Sequence, residues 1–353
     1  MTVRTIKSAM PSQDALVDRF RRKYWELNED AVRDSAPGRL QNVRPLRLGS
    51  VIVPLDGSRY AEHALPLALE VAAASKASVV LESASSLFGH AVDDLQSLSF
   101  EEASSPRRRD RMHAYLKALA HRISTDSVQV TCRLRRAPIA AASLTESAGE
   151  SNLVVLAQRP ARFADPFSLG HSVERLLRFG SSPLIFARGH RWRYALPQAK
   201  KVKHILVVLD GTAEAEHILP AAMAIAEAVE AQLTLLRIVP GMPYYGIPSA
   251  EKEIEAKAYL DTVVQSVQRS RLNVEAAVWS SNESLGEVIL SYAQNFNADL
   301  IALTTSLRRT LVGSFRREPV RYLVRKSSTP LLMVSSDKAK SHRDQPARPQ
   351  GAA

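Results

Sequence analysis

Two aspartates, each followed by glycine and a hydroxyl residue, are the side chains best placed to do chemistry in this sequence. Asp56 opens DGSRYAEHALPLALEVAAASKASVVL and Asp210 opens DGTAEAEHILPAAMAIAEAVEAQLTL, with 12 of 26 positions identical. A carboxylate at that point can face a ligand crevice, or it can accept backbone N–H groups where an Asp-Gly turn enters a helix. Both readings stand on the residues alone. Glu62-His63 and Glu216-His217 follow at matching positions and suggest a metal or an acid/base pair. Neighbouring residues on a helix point in different directions, however, and neither pair has a second ligand at i+4, so a structural or surface role is expected. The sequence contains no GxxxxGK[ST] phosphate loop, no GxSxG nucleophile elbow and no HExxH zinc helix. Neither catalytic residues nor a metal site are expected.

The elements that must position the aspartates are repeated with them. An apolar run precedes each, VIVPL at Val51 to Leu55 and ILVVL at Ile205 to Leu209, and an amphipathic stretch and a second apolar run follow. The later half of the repeat persists: Asn152 to Ala157 answers Asp299 to Thr304, and Ser182 to Phe186 answers Thr329 to Met333. A shortened spacing between the halves gives the first copy seven more residues, in a region including Ser97 to Arg109 that reads as loop. Strands are expected near Val51 to Leu55, Ser78 to Ser83, Ser127 to Leu134, Leu153 to Ala157 and Pro183 to Ala187. In the second copy they fall near His204 to Leu209, Gln232 to Ile238, Asn273 to Trp279, Leu300 to Thr304 and Pro330 to Val334. Strands alternating with helices imply parallel sheets covered on both faces, because the crossovers are right-handed. Ligands of such sheets sit beyond the carboxyl ends of the strands, where Asp56 and Asp210 stand.

At 353 residues and 45% hydrophobic content, the chain suits two globular domains with flanking segments. The boundaries read as an N-terminal extension at 1–45, a first domain at 46–188, a basic linker at 189–202, a second domain at 203–335 and a disordered tail at 336–353. Within the extension, Leu16, Phe20, Tyr24, Leu27 and Ala31 lie on one face of a helix from about Ser12 to Asp34, suited to pack on its own chain or on a partner. Cys132 is the single cysteine and reads as a small buried hydrophobe. No run reaches the roughly 18 apolar residues of a membrane helix; the best candidate, Ala64 to Leu81, is broken by Glu70 and Lys76. The N-terminus lacks the apolar core of a secretory signal, so a cytoplasmic location is expected, without membrane insertion. Of the net charge of +11, six cationic residues lie between Arg188 and Lys203 beside Trp192 and Tyr194. Arg308 to Lys326 carries seven more against Glu318 alone. Such stretches either track nucleic-acid phosphates or form solvated faces.

The apolar strand ending in Asp-Gly-[Ser/Thr], the Glu-His-x-Leu-Pro helix and the closing Ser-x-Pro-[apolar run] strand together resemble a tandem universal stress protein. The resemblance spans roughly residues 46 to 188 and 203 to 335. It implies an α/β fold of two doubly wound five-stranded parallel sheets, order 3-2-1-4-5, of the adenine-nucleotide alpha-hydrolase-like class. It further implies an intramolecular pseudo-dimer in which the last strands pair across the two domains.

Many members of that family bind ATP through a Gly-x2-Gly-x9-Gly-[Ser/Thr] signature after the fourth strand, with the first-strand aspartate beside the nucleoside. Glycines there let backbone N–H groups approach phosphate oxygens, and a following helix N-terminus favours their charge. In the first copy the signature positions fall at Ala157, Pro160, Gly170 and His171, followed by Ser172. Proline at 160 removes a donor and fixes φ, leaving His171 or Ser172 to reach a phosphate. Spacing fixes the second alignment: Gly170 precedes Pro183 by 13 residues, and 13 back from Pro330 is Arg317. The second set is therefore Thr304, Leu307, Arg317 and Glu318, without a glycine, while Gly313-Ser314 lies four residues out of place. The related nucleotidyl-transfer enzymes use HxGH or glycine-serine-rich pyrophosphate loops, which are absent. The resemblance thus implies a stress-response binding or scaffold module, with weak ATP binding at Asp56 at most and a vestigial Asp210. Alternatives are phosphate or nucleic-acid binding through residues 308–326 and slow ATP hydrolysis in the first domain, with Asp165 as the nearby carboxylate. An unknown protein partner and a homodimer complete the expectations.

Overall fold

The computed structural model describes residues 4–7, 43–83, 106–134, 151–158, 182–188, 201–240, 250–268, 272–305 and 317–335. In chain order the strands are β1 (Arg4–Lys7), β2 (Ser50–Leu55), β3 (Ser78–Ser83), β4 (Val130–Arg133), β5 (Asn152–Gln158), β6 (Leu184–Arg188), β7 (His204–Leu209), β8 (Gln232–Pro240), β9 (Val274–Ser281), β10 (Leu300–Thr305) and β11 (Leu331–Ser335). The helices are α1 (Leu65–Ser75), α2 (Pro106–Ile123), α3 (Leu219–Val229), α4 (Ala250–Val267), α5 (Leu285–Asn295) and α6 (Arg317–Lys326). No described helix is long and apolar enough to cross a membrane.

Instead of two separate sheets, the strands form one sheet of 11, ordered β1-β9-β8-β7-β10-β11-β6-β5-β2-β3-β4. Each half reads 3-2-1-4-5 in its own chain order, and all pairings within a half are parallel. The halves merge because their last strands, β6 and β11, pair antiparallel, with Leu331 opposite Phe186 and Met333 opposite Leu184. Strand β1 adds to β9 from the N-terminal flank, Arg4 opposite Ala277 and Lys7 opposite Ser280. The helix expected over 12–34 lies outside the described residues, as do the tail at 336–353 and linker residues 189–200.

Continuous apolar runs make these strands because both sheet faces are covered. Val51, Val53, Leu153, Val155, Ile205 and Val207 pack with α1, α2, α3 and α4 on one face. On the other, Ile52, Val154, Leu206 and Ile301 share a core with Val288, Tyr292 and Leu323 of α5 and α6. Gly286 permits that helix pair to approach, since a Cβ there would meet the Tyr322 Cδ1 at 2.7 Å. Strand β4 is shorter than the expected Ser127 to Leu134 because Val128 N closes a turn on the Thr125 carbonyl at 3.2 Å. Cys132 is half-buried rather than enclosed, since β4 is the sheet's outer strand. Helix α2 begins at Pro106, so the end of the segment read as loop is helical.

Across the seam, α1 packs beside α3, and Leu46 N donates to the Pro220 carbonyl at 2.9 Å. Two carboxylates hold the chain as it enters β7. Glu70 of α1 accepts Val202 N at 2.8 Å, and Asp299 accepts Lys203 N at 3.0 Å and His204 N at 3.2 Å. Burial pushes the Glu70 carboxyl above its ordinary 4.5, partly offset by the Val202 bond and reinforced by the charge of Asp299. A raised folded value means that the folded chain holds this proton more tightly than the unfolded chain. The resulting stability is complete below pH 4.5 and is lost as pH rises through the folded value. Burial raises Glu227 and Asp261 too, with the same sign. Urea melts from pH 4 to 7 should therefore show a smaller loss of stability with rising pH in Glu70→Gln than in the parent chain. Equal slopes would show that Glu70 does not titrate against the fold.

Candidate functional site

Beyond Leu55 the chain leaves the core and must reverse into a helix within a few residues. Gly57 permits this at φ +85°, and Gly211 does the same at φ +86°. The Asp56 Oδ1 accepts Ser58 N at 2.9 Å and Ser58 Oγ at 2.5 Å, and Ser58 Oγ in turn accepts Ala61 N at 3.2 Å. In the second half Asp210 Oδ1 accepts Thr212 N at 2.9 Å and Thr212 Oγ1 at 2.5 Å, with Ala215 N on Thr212 Oγ1 at 3.3 Å. A carboxylate–hydroxyl–amide relay thus orders each turn and starts the 3-10 turns at Ala61–Ala64 and Ala215–Ile218. Asp56 is 8% exposed, whereas Asp210 is open to solvent.

The Glu-His pairs serve these turns. His63 Nδ1 lies 3.0 Å from the Tyr60 carbonyl, with the two rings 5.4 Å apart. Glu62 accepts the Tyr115 hydroxyl at 2.9 Å and Arg122 Nη2 at 3.0 Å, tying α2 to the turn. Burial, followed by the charge of Glu62, pushes the Tyr115 hydroxyl well above the usual tyrosine range. Tyr259 of α4 is its counterpart: both helices carry Ala-Tyr-Leu, and Val79 pairs with Val130 as Leu233 pairs with Val274. Its hydroxyl is buried near Glu216. Burial and then Glu216 raise it as well. Arg237 lies over the Tyr259 ring at 4.9 Å and 3.8 Å from Glu255.

At the carboxyl edge of the sheet, Asp56 follows β2 and Ala157 is the next-to-last residue of the adjacent β5, as Asp210 follows β7 and Thr304 is the next-to-last residue of β10. Each pair flanks the point where the strand order reverses, the location at which doubly wound sheets receive ligands. Thr304 Oγ1 donates to the Ala215 carbonyl at 2.9 Å and so stitches the second cleft across that point. Ala157 occupies the equivalent place and has no hydroxyl to do so; it is buried. Arg317 and Glu318 open α6, whose C-terminal Arg325 and Lys326 are exposed. Pro160, Asp165, Gly170, His171, Ser172, Leu307 and the Gly313-Ser314 pair lie outside the described residues, as does 308–316 of the basic stretch. Sequence reasoning missed Tyr115, Tyr259, Arg237 and the hydroxyl of Thr304. The shared Ala-Tyr-Leu was the available signal for the tyrosines.

A sequence profile of the Universal stress protein family matches residues 48–188 and 201–335, and the chain belongs to that family. Its fold is similar to a universal stress protein from Archaeoglobus fulgidus, at TM-score 0.57 and 14% identity, covering 81% of this chain and 98% of that one. It is also similar to a functionally unknown protein from Pseudomonas aeruginosa, at TM-score 0.52 and 15% identity, covering 84% of this chain and 95% of that one. No curated protein matches the sequence.

The two glycines differ in what stands above them. A Cβ on Gly57 would meet Met112 Cε at 3.4 Å, an ordinary contact, whereas one on Gly211 would meet the Arg237 guanidinium at 2.7 Å. Gly57→Ala is expected to cost about 1–2 kcal/mol from left-handed strain alone. Gly211→Ala should cost more in urea denaturation, and the excess should vanish when Arg237→Ser is also present. Equal costs in the parent chain would show that Arg237 exerts no pressure on the turn.

Proposed function

We propose that this chain is a noncatalytic binding module of the stress response, taking adenine nucleotide weakly in its first cleft and not in its second. The Thr304 hydroxyl on the Ala215 carbonyl carries this reading. In the second half it ties β10 to the turn after β7 across the strand reversal, on the fourth-strand side where the family signature would hold phosphate. Ala157 leaves the same position in the first half without such a tie. Two features act in the same direction. By sequence the second residue of α6 is an acid, Glu318, a residue type that disfavours phosphate at a helix start. Proline at 160 removes one N–H from the first-half signature, so triphosphate contact is reduced there rather than lost.

Both aspartates carry the turn relay whether or not a ligand is present, so neither turn reports on binding by itself. Asn retains the Oδ1 acceptor and removes the charge, which separates the two roles. Calorimetric titration with ATP and magnesium should show one site weaker than micromolar, abolished by Asp56→Asn and unchanged by Asp210→Asn. Micromolar binding at both clefts, or binding that follows Asp210 instead, would overturn the reading.

A further inference from the structure

Above each Asp-Gly turn there is room for one long side chain, and the two halves fill it from opposite sides. Register fixes the comparison. Leu55 pairs with Ser83 as Leu209 pairs with Arg237, and the aligned Ala-Tyr-Leu helices set Met112 opposite Ala256. In the first half the strand supplies the small residue, Ser83, and the helix supplies the long one, Met112. In the second half the strand supplies the long one, Arg237, and the helix the small one, Ala256, which is fully buried. Each long side chain lies over its glycine: the Met112 Cε is 3.4 Å from a Cβ on Gly57, and the Arg237 guanidinium carbon is 2.7 Å from one on Gly211. Volume is thus kept while chemistry changes.

The two occupants are held differently. Met112 is half-buried against the core and bound by dispersion alone; its unbranched thioether changes rotamer readily and packs well on aromatic rings. Arg237 is 16% exposed, lies on the Tyr259 ring and has Glu255 at 3.8 Å. The charges of Glu216 and Asp210 raise the Tyr259 hydroxyl and that of Arg237 lowers it. A cation stacked on an aromatic face costs more to displace than a methionine tip.

We propose that Arg237 is the resident occupant of the second cleft and Met112 the adjustable cover of the first. The chain then admits one planar, nucleobase-like ring, beneath Met112 and beside Gly57, while the guanidinium fills the equivalent volume beside Gly211. This assignment rests on the nucleotide reading above and adds the residues that decide which half accepts the ring.

The test counts adenosine equivalents by equilibrium dialysis. Adenosine has no phosphate, so the missing glycines, Glu318 and the Thr304 tie on the phosphate side do not bear on the result. One equivalent is expected for the parent chain and two for Arg237→Ser and for the Arg237→Ser/Ala256→Met double variant, which copies packing the first half already uses. The reciprocal Ser83→Arg/Met112→Ala variant should lose the single equivalent. Two equivalents on the parent chain, or counts that none of these exchanges alters, overturn the proposal. A parent chain that binds none while the Arg237 variants bind one would sink the reading of the first cleft and uphold Arg237 as the occupant of the second.

Discussion

A parallel five-stranded unit of order 3-2-1-4-5 ends in a strand whose outer N–H and C=O groups have no partner, and that constraint organises this molecule. Both such strands are apolar and buried, with Ile185 and Leu332 at 0% exposure, so water cannot satisfy them. Pairing β6 with β11 satisfies both at once and makes two units into one sheet. The antiparallel direction of that pairing then dictates the rest. The carboxyl ends of the first half's strands and those of the second point to opposite edges of the sheet, so Asp56 and Asp210 cannot share a ligand. Helices α1 and α3 fall on the same face and pack across the seam, where Glu70 of one half holds Val202 at the start of the other.

The remaining edges are treated unequally. Strand β9 is eight residues long and mostly buried, the kind of edge that invites foreign pairing, and β1 covers four of its residues. Strand β4 is four residues long, alternates between half-buried and exposed positions and ends in Arg133, a short and charged edge that deters pairing. Arg133 also meets Glu82 at 3.3 Å, a carboxylate at 1% exposure where the second half has Leu236. Alternation at β4 and a buried acid at β3 mark the outer part of the first half as the less hydrophobic of the two.

Most of the sheet was legible in the sequence because strands buried on both faces are written as uninterrupted apolar runs, and VIVPL and ILVVL could hardly be anything else. Strand β4 was legible only in part, since its upstream residues, Thr125 to Ser127, are spent on a turn. Strand β1 was not legible at all: RTIK is four residues with two cations, and only the availability of β9 makes it a strand. At the clefts, the Asp-Gly-[Ser/Thr] turns could be read from residue type because the bonds they need are local. Contacts such as Glu62 with Tyr115 or Thr304 with the Ala215 carbonyl join elements far apart in the chain. Their meeting depends on register that only the folded sheet supplies.

Duplication makes each half a control for the other. Both halves keep the relay from Asp through Ser or Thr to Ala, because without it the chain cannot turn from the first strand into the helix. Both keep a glutamate facing a tyrosine of the next helix, because that helix must be seated over the turn. Among the described residues, the differences beside the Asp-Gly turns and the strand reversal are Ser83 against Arg237, Met112 against Ala256 and Ala157 against Thr304. Polar groups at a cleft must be satisfied by ligand, water or protein. In the second half the protein supplies partners itself, a hydroxyl on the Ala215 carbonyl and a guanidinium on the Tyr259 ring. A half that completes its own cleft still contributes β11 and α3 to the seam, so it sustains the fold of its neighbour.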